Sequence, residues 1–535
     1  MDRSKNFVSG VKVVESDDCG RVAVATRAFA PGAVVFRESP AIVFDPSQEK
    51  DHEYHGLFES YLRASPQTKR DILDMHCPSP EEIAQWSNKK VGAAEYDRLE
   101  QERQYFLQNH PNEETQLTVD ISRKLVSIVD ANAMAFGEGD GQHLDLLDSD
   151  YEDSKDEIDH FGGPNQKMAL FSIGSKTEHS CCPNLTWTTQ RRKMECVAET
   201  YIEPGDRLSI SYVSNVFERP CQERRDVLQE NKFFYCNCNR CRSLDACRPL
   251  WCHCREGGVL LWSGQKKKWV CTSCEQTKER DLFLVSAIQV ETELETLIQK
   301  YKWKIDNDPR PSLLDEIIQL TTTDQWQNTL HPLHWLNASA YKLISTTSAL
   351  RTNMQMMEES YPPPLSKFSP LLRLFSLALL RQIGWLERSV SLAREALAIE
   401  DLGTCEELFK GGGESDNVGG GYLQFSTKGA NKDDLIVAVA DLCKSIDSIS
   451  ENGEEKKEDI ASREVAGSEV AVSVFHAGQN LILTGDSDLA LRLYKVYDLC
   501  IQRSSTIGAD DKSRLRTFLS TNGHENPFVF PFFDA

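Results

Sequence analysis

Residues 176–187 read "KTEHSCCPNLTW". A histidine, a serine, two cysteines and a proline stand side by side, and three readings compete. They could be a catalytic Cys/His pair, a metal ligand held in a turn, or a polar loop with no special chemistry. A second group downstream, "FFYCNCNRC" at 233–241, bears on the choice. Its Cys236, Cys238 and Cys241 form a C-x-C-x-x-C knuckle. Three thiolates cannot close a tetrahedral zinc site, so a fourth must come from elsewhere.

The wider cysteine pattern also favours metal. Twelve of the seventeen cysteines fall between Cys181 and Cys274. Cys252 and Cys254 are separated by sixteen residues from Cys271 and Cys274, and the intervening "REGGVLLWSGQKKKWV" reads as a small β-ribbon with a turn. That is zinc-ribbon spacing, with C-x-C in place of the commoner C-x-x-C in its first pair. The opening "MDRSKNFVSGVKVVESDD" has no apolar signal segment, and the most apolar run, "LLRLFSLALLRQIGWL", is short and broken by arginines. The expectation is a cytoplasmic and/or nuclear protein, where thiols stay reduced and clustered cysteines bind metal.

At 535 residues the chain is expected to hold several domains, and 40% hydrophobic with 27% charged residues places it among globular proteins. Sixty basic residues against 82 acidic give a net charge of −22. That argues against direct nucleic-acid binding and favours a basic partner such as a lysine-rich protein tail, although acidic charge also serves solubility alone.

Along the chain, residues 7–45 alternate apolar and polar, with "VAVATRAFAPGAVVFRESPAIVF" reading as strands around a Pro31-Gly32 turn. Residues 46–117 read as helical, and "VDISRKLVSIVDANAMAF" as a further helix. An insertion at 137–166 holds ten acidic residues against one lysine and is expected to be solvated or disordered. Strand-like segments return in "KMALFSIG", "LTWTTQ", "KMECVAETY" and "DRLSISYV". Residues 281–535 are mostly amphipathic helix, interrupted by "FKGGGESDNVGGGY" and a charged stretch at 451–466. Segments 371–400 and 474–502 each read as paired helices with small residues between, either tetratricopeptide-like (TPR-like) hairpins or part of a plain bundle.

Taken in order, "GRVAVATRAFAPGAVVFRESP", "DANAMAF", "SIGSKTEHSCCPN", "YIEPGDRLSISYVS" and "RRDVLQENKFFYCNCNRC" resemble the SET-domain protein lysine methyltransferases. The likeness is to the SET–MYND (SMYD) branch and its relatives lacking the MYND finger. It covers about residues 7–280. The signatures matched are an N-H-S-C-x-P-N loop, a G-E-E-hydrophobic-x-I-S-Y strand and the C-x-C-x-x-C post-SET knuckle, the first two with substitutions.

The resemblance implies an α+β fold: a SET β-clip core with a zinc-binding post-SET segment, a small zinc ribbon and a C-terminal helical, TPR-like domain. The implied domains are the SET N-terminal part at 1–45, a helical insertion in place of MYND at 46–117 and the SET C-terminal core at 118–224. The post-SET knuckle follows at 225–245, the ribbon at 246–280 and the helical domain at 281–535. Residues 46–117 carry one cysteine, Cys77, which cannot supply the two zinc sites of a MYND finger.

The resemblance also implies the site. Cys181 completes a zinc site with Cys236, Cys238 and Cys241, which removes it from the role of nucleophile; Cys252, Cys254, Cys271 and Cys274 hold a second zinc. Tyr212, at the end of "ISY", matches the catalytic tyrosine. Asn132 matches the asparagine at the methionine end of S-adenosyl-L-methionine, and Gly20 and Arg21 the turn near that cofactor. Ser175, Glu178 and His179 fall at loop positions around it, with Phe234 in the aromatic wall near the adenine. The sequence departs from the family at Glu178, where an asparagine is usual and a carboxylate cannot donate as an amide does. It also departs at Val22 for a glycine, at Lys232 for a channel tyrosine and at Met134 for a phenylalanine.

The implied function is methyl transfer to a lysine of a partner protein, histone or non-histone, by a monomer with no membrane association. The alternative is a SET-derived scaffold that keeps the zinc architecture and methylates little.

Overall fold

The computed structural model describes residues 10–17, 20–46, 54–79, 81–82, 93–136, 167–189, 193–252, 254, 258–274, 277–278, 282–358, 369–395, 430 and 432–447, with single positions between 477 and 493. The acidic insertion at 137–166, the glycine-rich stretch at 409–422, the charged stretch at 451–466 and most of the helical pair at 474–502 lie outside them. The chain divides into two compact units. One comprises Met1–Ser214 with Gln222–Cys238, the other Asn215–Cys221 with Asn239–Ala535.

In the first unit, β1 (Val11–Ser16) and β2 (Gly20–Ala25) form an antiparallel hairpin, with Val14 opposite Val22. A three-stranded sheet runs β3-β9-β8, from Val34–Glu38, Met194–Ala198 and Leu185–Thr188. Another runs β4-β6-β5, from Ile42–Phe44, Lys167–Leu170 and Met134–Phe136. Short β7 (Glu178–His179) and β10 (Ser209–Ile210) pair in parallel. Among the described residues this is a set of small sheets wrapped on one apolar core that includes Ala23, Val35, Phe36, Phe171, Leu185 and Ile210.

A second core lies under the helices α1 (His55–Arg63), α2 (Pro66–Leu73), α3 (Ala93–Asn109) and α4 (Val119–Asn132). Local chemistry sets where α2 and α4 begin. Ser65 Oγ accepts from Thr68 N–H with Pro66 at the first helical position, and Thr118 Oγ1 accepts from Ile121 N–H. Apolar spacing sets which face turns inward. Leu125, Ile128 and Val129 of α4 are buried, three and four residues apart. The sequence reads as helix through Phe136, yet α4 stops at Asn132, because Met134–Phe136 pair with β6 instead.

The helix α5 (Cys221–Lys232) ends at Phe233, which takes φ +60°. Glycine usually fills that left-handed position, and the buried Phe233 ring helps hold the chain there.

In the second unit, β11 (Leu250–Trp251), β12 (Val259–Ser263), β13 (Lys268–Cys271) and β14 (Thr277–Lys278) form an antiparallel sheet in that order. The predicted ribbon hairpin is its centre. After the short helix α6 (Asn239–Arg242) and this sheet come α7 (Leu282–Asn307), α8 (Leu313–Thr321), α9 (Asp324–Thr329), α10 (Trp335–Glu358), α11 (Ser369–Glu395) and α12 (Lys432–Asp447). Arg248, just before β11, meets Glu291 of α7 through Nε at 2.7 Å and Nη2 at 2.7 Å, and His334 Nε2 lies 2.9 Å from the same carboxylate. Burial alone would raise the Glu291 carboxyl, but His334 and Arg248 outweigh it and hold it at about 2.

The first expected helical pair differs from its reading. Residues 369–395 form one helix that runs through Gly384 without a turn. A mid-helix glycine costs about 1 kcal/mol, and the buried Leu380, Ile383, Trp385 and Leu386 around it offset that cost. No helix among the described residues is long and apolar enough to cross a membrane.

Candidate active site and metal centres

The loop quoted at the outset is fixed from below by a residue that sequence reading missed. Glu38, at the end of β3, is buried, and its carboxylate accepts from Ile173 N–H at 2.9 Å and Gly174 N–H at 2.9 Å. Burial raises its carboxyl above the ordinary range, against the opposing pull of the Gly174, Ile173 and Ser172 amides. Alternation along β3 carries the signal that could have found it. Phe36 faces the core, and a residue two further on shares its face. Gly174 is required because a Cβ there would lie 2.6 Å from Met194 Sδ and 2.9 Å from Phe171 Cβ.

From this base the hydrogen bonds run upward. Ser175 Oγ donates to the Ser172 carbonyl at 3.3 Å, and Thr177 Oγ1 to the Gly174 carbonyl at 2.6 Å. Glu178 N–H donates to the Leu208 carbonyl and Ser180 N–H to that of Ile210, both at 3.0 Å, so the loop lies alongside β10. That pairing delivers Tyr212. Its hydroxyl donates to the Thr177 carbonyl at 2.5 Å, and its main-chain N–H donates to His179 Nδ1 at 3.0 Å. The His179 ring lies 5.2 Å from that of Tyr212 and 5.9 Å from that of Phe234. Tyr212, His179, Phe234 and the Ser175–Thr177 turn are therefore brought together.

The cysteines gather as well. Cys181, Cys236, Cys238 and Cys241 have all four sulfurs within 4.8 Å of one another, and so do Cys252, Cys254, Cys271 and Cys274. The Cys181–Cys236 separation is 3.9 Å and the Cys254–Cys271 separation 3.8 Å. Zinc–sulfur bonds of about 2.3 Å in a tetrahedron put sulfurs about 3.8 Å apart, whereas a disulfide needs about 2.05 Å. Both sets thus fit a tetrahedral thiolate metal site and neither is a disulfide. Burial raises the Cys252 and Cys271 thiols, and a bound cation is what would hold them as thiolates. Gly258 completes the second site. Its N–H donates to Cys254 Sγ at 3.3 Å, and a Cβ there would fall 2.6 Å from Cys271 Sγ.

Of the remaining predicted residues, Arg21 and Asn132 find partners within the chain. Gly20 takes φ +73° and opens onto free space. Arg21 pairs with the Asp74 carboxylate and main-chain carbonyl. Lys176 lies close by, its ammonium lowered by burial and by Arg21, with Asp74 opposing. Asn132 Nδ2 donates to the His76 carbonyl at 2.7 Å and the Ile128 carbonyl at 2.8 Å.

The four departures have definite places too. Glu178 pairs with Arg207 Nη1 at 3.0 Å, and Arg207 Nη2 donates to Ser16 Oγ at 2.7 Å. Lys232 Nζ donates to the Asp130 and Ala131 carbonyls at 3.0 and 3.3 Å, the C-terminal end of α4, where a cation suits the helix dipole. Burial nonetheless pushes its ammonium down to about 8. Val22 is buried in β2, and Met134 is half-buried in β5.

Residues 20–213, a little over a third of the chain, match the SET domain family model. Over a shorter stretch the chain is similar to SMYD proteins. It is 33% identical over 90 residues to rat N-lysine methyltransferase SMYD2, covering 17% of this chain and 19% of that protein. The human protein is 32% identical over 90 residues, with the same shares, and the chicken protein 34% over 86 residues, 16% of this chain and 18% of its own. The match therefore spans about a fifth of these relatives. The crystal structure of the SET domain of LSMT bound to lysine and AdoHcy aligns over 98% of this chain and 94% of its own, at 11% identity and a TM-score of 0.26. That superposition is too loose to argue from.

Proposed function

We propose that this protein is an S-adenosyl-L-methionine-dependent protein-lysine N-methyltransferase of SMYD-like type. The observation that carries the reading is the Tyr212 hydroxyl. Its single proton is committed to the Thr177 carbonyl, so toward a neighbour the oxygen can act only as acceptor. An acceptor fixed by hydrogen bonds at its hydroxyl and main chain suits an amine that must be aligned with a methyl group.

S-adenosyl-L-methionine, when bound, supplies a methyl group already activated on a sulfonium. The chain's residues do the rest. Gly20 opens the backbone at the β1–β2 turn, and Arg21 with Lys176 forms a positive corner, only partly offset by Asp74, that suits a carboxylate. Asn132, Ser175, Glu178 and His179 line the reading's cofactor side, and Phe234 supplies an aromatic wall beside His179. Aromatic and apolar surroundings favour the neutral form of an incoming lysine amine. The two thiolate clusters hold zinc in this reading, one bracing the loop that carries His179. The helical segments after residue 281 serve as a protein-recognition domain. The substrate is a protein with an accessible lysine, and the net charge of −22 favours a basic one.

The test is transfer of labelled methyl from S-adenosyl-L-methionine to lysine-rich proteins, compared between the natural chain and Tyr212→Phe. Transfer that falls strongly in the variant supports the reading. Absence of transfer with every substrate tried favours the scaffold alternative.

A further inference from the structure

His179 makes two hydrogen bonds from opposite ends of one ring. Nδ1 accepts the Tyr212 main-chain N–H at 3.0 Å, and Nε2 lies 3.2 Å from Cys181 Sγ. The first bond fixes the tautomer, because a nitrogen that accepts carries no proton in neutral imidazole. The proton is then on Nε2, and Nε2–H points at the sulfur. Cys181 is fully buried, and so is Cys241, while Cys236 is nearly so. Four thiolates around one divalent cation, three of them buried and Cys238 half-buried, leave a net charge of −2. Such a charge away from water requires donors aimed at its sulfurs, and an N–H bond to a thiolate is charge-assisted. The second cluster has a donor of the same kind in Gly258 N–H on Cys254 Sγ.

We infer that His179 is a positioning residue that braces the Cys181 thiolate through Nε2–H and fixes the Tyr212 backbone through Nδ1, so that the metal site and Tyr212 are held by one ring. Its side chain then serves the metal and the tyrosine, whereas the sequence placed His179 only among the groups around the cofactor. The consequence for turnover rests on the proposed function. The consequence for metal retention does not. Partners of this kind, one bond removed from the metal, commonly change metal affinity about ten- to hundred-fold when removed.

Two substitutions separate the two bonds. In His179→Asn the amide oxygen falls near Nδ1, keeping an acceptor for Tyr212 N–H and losing the donor to Cys181. In His179→Gln the amide nitrogen falls near Nε2 and keeps that donor. The full chain is loaded with zinc, and release to a colorimetric chelator is followed for each variant and for His179→Ala. The expected result is that one zinc equivalent of two leaves about ten- to hundred-fold faster in His179→Asn and His179→Ala, with His179→Gln near the natural rate. The other equivalent should leave slowly throughout, which reports that the ribbon stays folded. Equal rates for His179→Gln and His179→Asn, or natural rates in all three, overturn the inference. If the natural chain transfers no methyl, the proposed function fails while these release rates still decide the role of His179.

Discussion

Glu178 and Arg207 form an ion pair 3.0 Å long beside the loop that carries His179. The carboxylate that replaces the family's asparagine is thus neutralised within the chain, and Arg207 is tied further to Ser16. With side-chain exposures of 22% for Glu178 and 44% for Arg207, the pair is partly solvated, and such pairs contribute up to about 1 kcal/mol. A double-mutant cycle on Glu178→Asn and Arg207→Ala, read by chemical unfolding, should give a coupling below about 1 kcal/mol that shrinks as salt rises. Under the proposed function, Arg207→Ala alone should weaken cofactor binding more than the double variant does, because it leaves an unneutralised Glu178 carboxylate on the cofactor side. Equal weakening in both would show that the pair has no bearing on the cofactor.

Glu38 supports the loop beneath Tyr212, and Glu38→Ala strips the partner from the Ile173 and Gly174 amides. Buried donors left unpaired cost about 1–3 kcal/mol each, so the variant should lose about 2–4 kcal/mol in urea unfolding. A loss under about 0.5 kcal/mol would mean that water replaces the carboxylate and the loop is held by other contacts.

Lys232 gives a pH signature. Its ammonium is lowered from 10.5 to about 8 by burial, with Asp130 opposing. Between those values the unfolded chain binds more protons at this residue than the folded one, so the lysine's contribution to stability rises with pH across that window. Below about 8 its burial cost is present in full. The difference in Tm between the natural chain and Lys232→Met should therefore move in favour of the natural chain from pH 8 to pH 10. A constant difference would place the Lys232 titration outside that range.

Two clusters predict two zinc equivalents per chain by elemental analysis. Cys181 is fully buried and Cys254 only half-buried, so Cys181→Ser should lower Tm further than Cys254→Ser. Structural zinc contributes about 10 kcal/mol or more to folding in small domains, so chelation should broaden or abolish the thermal transition. A single equivalent, or a larger loss from Cys254→Ser, would contradict this ordering.

Much of the site is legible in the sequence because its ligands cluster there. The spacing of Cys252, Cys254, Cys271 and Cys274 announces a ribbon, and β12 and β13 form its hairpin. Tyr212 is legible through the resemblance of "LSISYV". The partners of the other residues are not, because they lie far along the chain. Asp74 is 53 residues from Arg21, the His76 carbonyl 56 from Asn132, and the Asp130 carbonyl 102 from Lys232. No local pattern encodes such contacts. The end of α4 at Asn132 was hidden for a similar reason: "DANAMAF" has helical composition, and only the distant β6 turns Met134–Phe136 into a strand.

The central claim of the proposed function is that this chain binds S-adenosyl-L-methionine. Isothermal titration of the zinc-loaded chain with S-adenosyl-L-methionine and with S-adenosylhomocysteine tests it most directly. The account predicts one saturable site for each, with Tyr212→Phe binding nearly as well as the natural chain, because the hydroxyl acts on alignment rather than affinity. No detectable heat from either compound, with the protein folded and both zinc equivalents present, would contradict it.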